Sequence, residues 1–200
     1  TPDIKTQSVR RLGAEVKLIG KSFNEANSAA IEMAKQTGSV FIPPFDDKDV
    51  IAGQGTLGKE LLQQLPDADV VFVPVGGGGL ASGLSSVFKI LSPETKVIGV
   101  EPEGAPSMKT AFEKGENLKL NNIDKFVDGA AVQQVGDITY KICKENLAEM
   151  ITVPEGKVCQ TILDMYNKDA IVVEPAGALT LAALELYRDK IKGKNVIIDF

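Results

Sequence analysis

The apolar positions along this chain switch repeatedly between two spacings. From Phe23 to Thr37, Ala26, Ala30, Ile31 and Ala34 recur three or four residues apart, as on one helix face; Ser22 or Asn24 can cap its start and Gly38 its end. After a turn at Pro43-Pro44, residues 50–65 set Leu57, Leu61, Leu62 and Leu65 along one side of another helix, which Pro66 stops. Further helices are predicted over 80–91, about 105–114, 138–147, from Pro154 onward, and over 176–187. Between them lie short β-rich runs at 15–19, 40–42, 70–75, 96–100, 150–153 and 196–198, with a further apolar run from Ile171 to Val173. The run Val70 to Val75 has no polar side chain, which suits a strand covered on both faces of a parallel sheet. Strands alternating with helices of this length predict an α/β fold, a mainly parallel sheet flanked by helices. Residues 101–134 break the pattern with Gly, Pro and the Asn121-Asn122 pair, and read as a long connection carrying one short helix.

Composition narrows the partners. Two hundred residues, 44% of them hydrophobic, suffice for one large domain, or for one domain and part of a second. No apolar run nears the ~20 residues of a membrane-spanning helix, so no membrane partner is expected. A net charge of −5 without a basic cluster argues against nucleic acid, because neutralising phosphates needs grouped Lys and Arg. A small molecule is the expected partner. Cys143 and Cys159 lie in separate segments and predict buried thiols in a reducing, cytoplasmic compartment rather than a disulfide. Histidine is absent, which removes His-based triads, His proton shuttles and most catalytic zinc sites from this segment.

The most informative stretch is Gly76-Gly77-Gly78-Gly79, between the strand ending at Val75 and the helix beginning near Leu80. Residues without Cβ let backbone N–H groups close around an anion, and a helix N-terminus adds partial positive charge. The junction predicts a phosphate cradle; a plain flexible turn is the alternative, at a large cost in conformational entropy. A dinucleotide loop would read G-x-G-x-x-G, and an NTPase loop would end in Gly-Lys-Ser/Thr. The helix instead opens with Leu80, Ala81, Ser82 and Gly83.

The segment from Val73 to Gly83 (VPVGGGGLASG) resembles the tetraglycine loop that holds the phosphate of pyridoxal 5'-phosphate (PLP) in fold-type II enzymes of the tryptophan synthase β type. Four neighbouring segments narrow the resemblance to threonine dehydratase (threonine ammonia-lyase): PPFDDKDVIAGQGT from Pro43, KVIGVEPEGAPSM from Lys96, DGAAVQQVGDITY from Asp128 and VEPAGALTLAAL from Val173. The likeness runs in order through nearly the whole chain. It implies β-elimination of L-threonine or L-serine to a 2-keto acid and ammonia, within amino-acid metabolism and isoleucine biosynthesis. The alternatives are a racemase similar to serine racemase, and a non-catalytic phosphate-binding fragment. A homo-oligomer, dimer or tetramer, is implied as well.

The resemblance also assigns residues. Gly76, Gly77, Gly78, Gly79 and the Leu80 amide would hold the phosphate, and Gly129 would line the cofactor. Glu101, with the carbonyl of Ala105, resembles the oxygen set of a monovalent or divalent cation site; serine racemase carries an acid where this chain has Ser107. Glu174 resembles a glutamate close to the active site, or is simply a charge near a helix N-terminus. Gln54-Gly55-Thr56 resembles a turn opening a packed helix. Residues 1–45 would form part of a smaller N-terminal domain and 46–200 a larger phosphate-binding domain. The family's Schiff-base lysine, in a Ser-Phe/Tyr-Lys segment, falls upstream of the position matching Thr1, and its pyridine-facing serine beyond Phe200. The expectation is therefore an internal segment of a longer enzyme, with no catalytic lysine of its own.

Overall fold

The computed structural model describes residues 3–21 and 23–199. They divide into two compact units, residues 1–42 and 43–200. In the first unit, α1 (Asp3–Arg11) and α2 (Phe23–Thr37) are the regular elements. Helix α2 has the predicted bounds, and Gly38 at φ +70° follows it. Asn24 lies inside α2 rather than capping it, and the alternative cap Ser22 falls outside the described residues.

Two sequence expectations fail here, and one helix goes unpredicted, for physical reasons. The runs 15–19 and 40–42 are not strands: a strand exists only by pairing its backbone, and the described sheet takes up neither run. Helix α1 was not foreseen, since its sequence DIKTQSVRR has no apolar stripe and buries only Thr6.

The second unit is built around four parallel strands, β1 (Val70–Pro74), β2 (Lys96–Pro102), β3 (Glu149–Val153) and β4 (Val196–Ile198), in the order β3-β2-β1-β4. Six helices accompany them: α3 (Lys48–Gln64), α4 (Gly79–Leu91), α5 (Ser107–Lys114), α6 (Asp137–Asn146), α7 (Glu155–Asp169) and α8 (Ala178–Ile191). The expected α/β architecture with a parallel sheet is what forms. Period-two alternation sorts β1 onto two cores. Val71, Val73 and Val75 pack with Leu84 and Phe88 of α4 and with Tyr140 and Cys143 of α6. Val70 and Phe72 pack with Val158 of α7 and with Leu179, Ala182, Ala183 and Tyr187 of α8. Phe72 is fully buried and meets Tyr187 edge to face, with ring centroids 5.4 Å apart. Burial of such a ring stabilises the fold by about 1.5–3 kcal/mol.

Helix α3 contacts the first core through Leu57, Leu61, Leu62 and Leu65, as its spacing required. The segment Gln54-Gly55-Thr56 lies within α3 and is not a turn. Its glycine serves helix packing: a Cβ on Gly55 would come 3.3 Å from the carbonyl oxygen of Gly83 on α4. Cys143 is buried as expected, whereas Cys159 is exposed, because α7 turns Val158, Thr161 and Met165 inward instead. The apolar run Ile171 to Val173 is irregular, with Val172 on the surface.

Strand order places the site. From β1 the chain moves outward through β2 to β3, then returns to lay β4 on the other side of β1. The reversal falls beside β1, and open parallel sheets bind ligands at the carboxyl ends of the strands flanking such a reversal.

Candidate phosphate and cofactor site

The glycine run sits at the carboxyl end of β1. Val75 still donates to the carbonyl of Val100 at 2.8 Å, and the chain then leaves the sheet through Gly76 to Gly78 and enters α4 at Gly79. Gly78 takes φ +93°, a left-handed turn that side-chain-bearing residues adopt only at a cost. Among the described residues, no protein acceptor meets the amides of Gly76 through Ala81. Gly78 and Gly79 are buried, so these are buried donors at a helix start, where aligned peptide dipoles add about half a positive charge. That arrangement fits a phosphate group.

The glycines themselves answer to packing on the outer side of the loop. A Cβ on Gly76 would come 3.1 Å from Cα of Ala130 and 3.2 Å from the carbonyl oxygen of Gly129. On Gly77 it would enter the ring of Phe45, and on Gly79 it would come 3.1 Å from Cα of Phe45. On Gly78 it would come 2.9 Å from Cβ of Thr139. Three separate segments thus press on the loop, and a side chain at any of these positions would strike one of them.

Phe45, Asp46 and Asp47 were not singled out in the sequence, and each has a distinct place. Asp47 caps α3, accepting from the amides of Asp49 at 2.9 Å and Val50 at 3.2 Å. Asp46 reaches 91 residues along the chain to α6 and accepts from the amides of Asp137 at 3.0 Å, Ile138 at 2.9 Å and Thr139 at 3.1 Å. Thr139, fully buried, donates its hydroxyl to the Gly77 carbonyl at 2.7 Å. The Asp-Asp pair before an apolar helix is a capping signal for α3; nothing local announces that its first member caps a different helix.

Gly129 and Glu174 join the loop. Gly129 backs Gly76, and a Cβ on Gly129 would come 3.0 Å from Oε1 of Glu174 and 2.9 Å from Cβ of Ala176. Glu174 precedes α8, and its carbonyl accepts from Ala178 at 3.3 Å. Gly76 to Leu80, Gly129 and Glu174 therefore form one cluster.

Glu101 stands behind that cluster at the end of β2, 1% exposed. Its oxygens accept from the amides of Met108 at 2.7 Å and Lys109 at 2.9 Å. Burial pushes its carboxyl up to about 8, against the pull of those amides and of the Lys109 charge. The carboxylate is the N-terminal cap of α5, and Met108 is also the side chain whose methyl lies against Gly78. The Ala105 carbonyl accepts from Ser107 at 3.0 Å, and the Ser107 hydroxyl donates to the Val132 carbonyl. A hard cation takes about six or more oxygens, and no cluster of three or more His, Cys, Asp or Glu side chains is present among the described residues.

A parallel sheet with an acceptor-free amide loop at its strand reversal defines an α/β domain of a kind suited to holding an anion. The chain belongs to the family described as pyridoxal-phosphate dependent enzyme, whose profile matches residues 1–198. It is 48% identical over 201 residues to the biosynthetic L-threonine dehydratase IlvA of Halalkalibacterium halodurans, covering 98% of this chain and 48% of that one. Among solved structures, the processed form of threonine deaminase isoform 2 from Solanum lycopersicum matches 99% of this chain and 58% of its own, at 44% identity and a TM-score of 0.92. Serine racemase from Dictyostelium discoideum matches 99% of this chain and 64% of its own, at 34% identity and a TM-score of 0.86. The chain spans about half the length of the curated relatives it matches.

Proposed function

We propose that this chain is the phosphate-holding part of a PLP-dependent lyase that deaminates L-threonine or L-serine to a 2-keto acid and ammonia. The observation that carries the reading is the set of acceptor-free amides from Gly76 to Leu80 at the end of β1, in a chain about half identical to a biosynthetic threonine dehydratase. Bound there, PLP supplies the electron sink that acidifies the Cα–H of an amino acid. The amides of this chain anchor the phosphate and so fix where the reacting atoms stand, which is a contribution of position rather than of proton transfer. Gly129, which backs Gly76, would line the cofactor, and the Glu174 carboxylate lies beside Gly129. No residue of the chain is assigned the covalent role.

In the same reading, residues 1–45 belong to the smaller N-terminal domain and 46–200 to the larger one. The whole protein is a cytoplasmic homo-oligomer, dimer or tetramer; among the described residues no helix is long and apolar enough to cross a membrane. Glu101 and the Ala105 carbonyl contribute oxygens to any cation site only alongside ligands from elsewhere. A racemase is the less favoured activity, because Ser107, where serine racemase carries an acid, is tied to the Val132 carbonyl. The test is direct: the full-length protein loaded with PLP is expected to release keto acid and ammonia from L-threonine or L-serine. PLP-loaded protein that releases neither product from either amino acid would contradict the assignment.

A further inference from the structure

Helix α6 has an unusual start. Its N-cap, Gly136, has no side chain to satisfy the first amides, and the carboxylate of Asp46 does so from a segment far away in sequence. Gly136 must be glycine for this, since a Cβ there would lie within the Asp46 carboxylate. One carboxylate thereby holds three consecutive amides, and with them the first turn of α6, against residues 43–47.

That turn grips the glycine loop. The Thr139 hydroxyl lies 2.7 Å from the Gly77 carbonyl and 3.2 Å from the Gly136 carbonyl; it has one proton, and the shorter contact takes it. The Gly136 amide donates to the same Gly77 carbonyl at 3.3 Å. In a planar trans peptide, C=O and N–H point in opposite directions. A Gly77 carbonyl held towards α6 therefore turns the Gly78 amide away from α6, and keeps a carbonyl oxygen from facing an anion. Glycines on both sides of this peptide give it little resistance to flipping of its own.

We propose that Asp46 and Thr139 are positioning residues for the phosphate cradle: Asp46 fixes the first turn of α6, and Thr139 on that turn fixes the Gly77–Gly78 peptide so that its N–H faces the anion. Neither side chain touches the phosphate. The proposal rests on the reading of Gly76 to Leu80 as that cradle, and it deepens that reading by assigning what orients the loop.

The test compares PLP with pyridoxal, which lacks the phosphate, by absorbance titration of the full-length apoprotein and its variants. Thr139→Val keeps the shape and removes the hydroxyl; Thr139→Ser restores it. Asp46→Ala removes the remote cap, and Asp46→Asn keeps one accepting oxygen. Thr139→Val and Asp46→Ala are expected to weaken PLP about tenfold while leaving pyridoxal unchanged, the effect of losing roughly one oriented hydrogen bond. Thr139→Ser should return PLP affinity to near that of the unaltered protein, and Asp46→Asn should fall between. The phosphorus NMR signal of bound PLP should shift in Thr139→Val. Equal weakening of PLP and pyridoxal, or unchanged PLP affinity in a folded Thr139→Val, would overturn the relay and leave the cradle standing. Equal affinity of the unaltered protein for PLP and pyridoxal would overturn the cradle, and the relay with it.

Discussion

Replacing Gly78 with alanine separates two reasons for a glycine at one position. The first is conformational: at φ +93° an L-residue costs roughly 1–2 kcal/mol more than glycine. The second is crowding. The new Cβ would come 2.8 Å from the Met108 methyl and 2.9 Å from Cβ of Thr139. The methyl is the free end of a flexible chain and can move, but Thr139 is fully buried and anchored by its hydroxyl to Gly77, so it yields only by moving the turn. Overpacking of that kind costs about 1–3 kcal/mol. Gly115 provides the control: it ends α5 at φ +78° with nothing within 4 Å of a new Cβ. Gly115→Ala carries the conformational cost alone, and the loss of unfolded-chain entropy that alanine brings is common to both sites. Urea unfolding followed by circular dichroism should therefore show Gly78→Ala less stable than Gly115→Ala by about 1–3 kcal/mol, with similar slopes. Equal midpoints would refute the claim that neighbouring segments hold the glycine loop in place.

Two further outcomes follow from the core and the thiols. Phe72→Ala should lower stability by about 3–5 kcal/mol, since the ring is fully buried between β1 and Tyr187; a change below ~1 kcal/mol in urea unfolding would show that the second core is loosely packed. Burial pushes the Cys143 thiol up to about 12, and a Glu101 carboxylate adds to the rise, so the reactive thiolate is scarce at any pH below about 11. Iodoacetamide at pH 8 should therefore label the exposed Cys159 in the native protein and both cysteines in denaturant; native labelling of Cys143, read by peptide mass spectrometry, would contradict the buried assignment.

The elements legible in the sequence were those whose stability is written locally. Val70 to Val75, apolar throughout, had to be a central strand, and the alternation within it matches the two cores it feeds. Helix α2 was readable from its 3.6-residue spacing, and β4 from a short β-branched run between turn residues. The runs at 15–19 and 40–42 were misread because β propensity states a preference, whereas a strand needs a partner that no local pattern names. Helix α1 was invisible for the opposite reason, having almost no apolar stripe to detect. At the site, Gly76 to Gly79 announced themselves through composition and position. Phe45, Asp46 and Thr139 did not, because what matters about them is contact across about 30 to 90 residues of sequence, and a single carboxylate or hydroxyl looks the same whether it caps its own helix or another.

The central claim is that the amides opening α4 bind the cofactor's phosphate. Backbone amide NMR of the full-length apoprotein during titration with PLP tests it at the atoms concerned. The amides of Gly76, Gly77, Gly78, Gly79 and Leu80 are expected to shift together and saturably, inorganic phosphate should compete for the same signals, and glycines away from the loop such as Gly115 and Gly156 should stay in place. Saturable PLP binding that leaves those five amides unmoved would contradict the account.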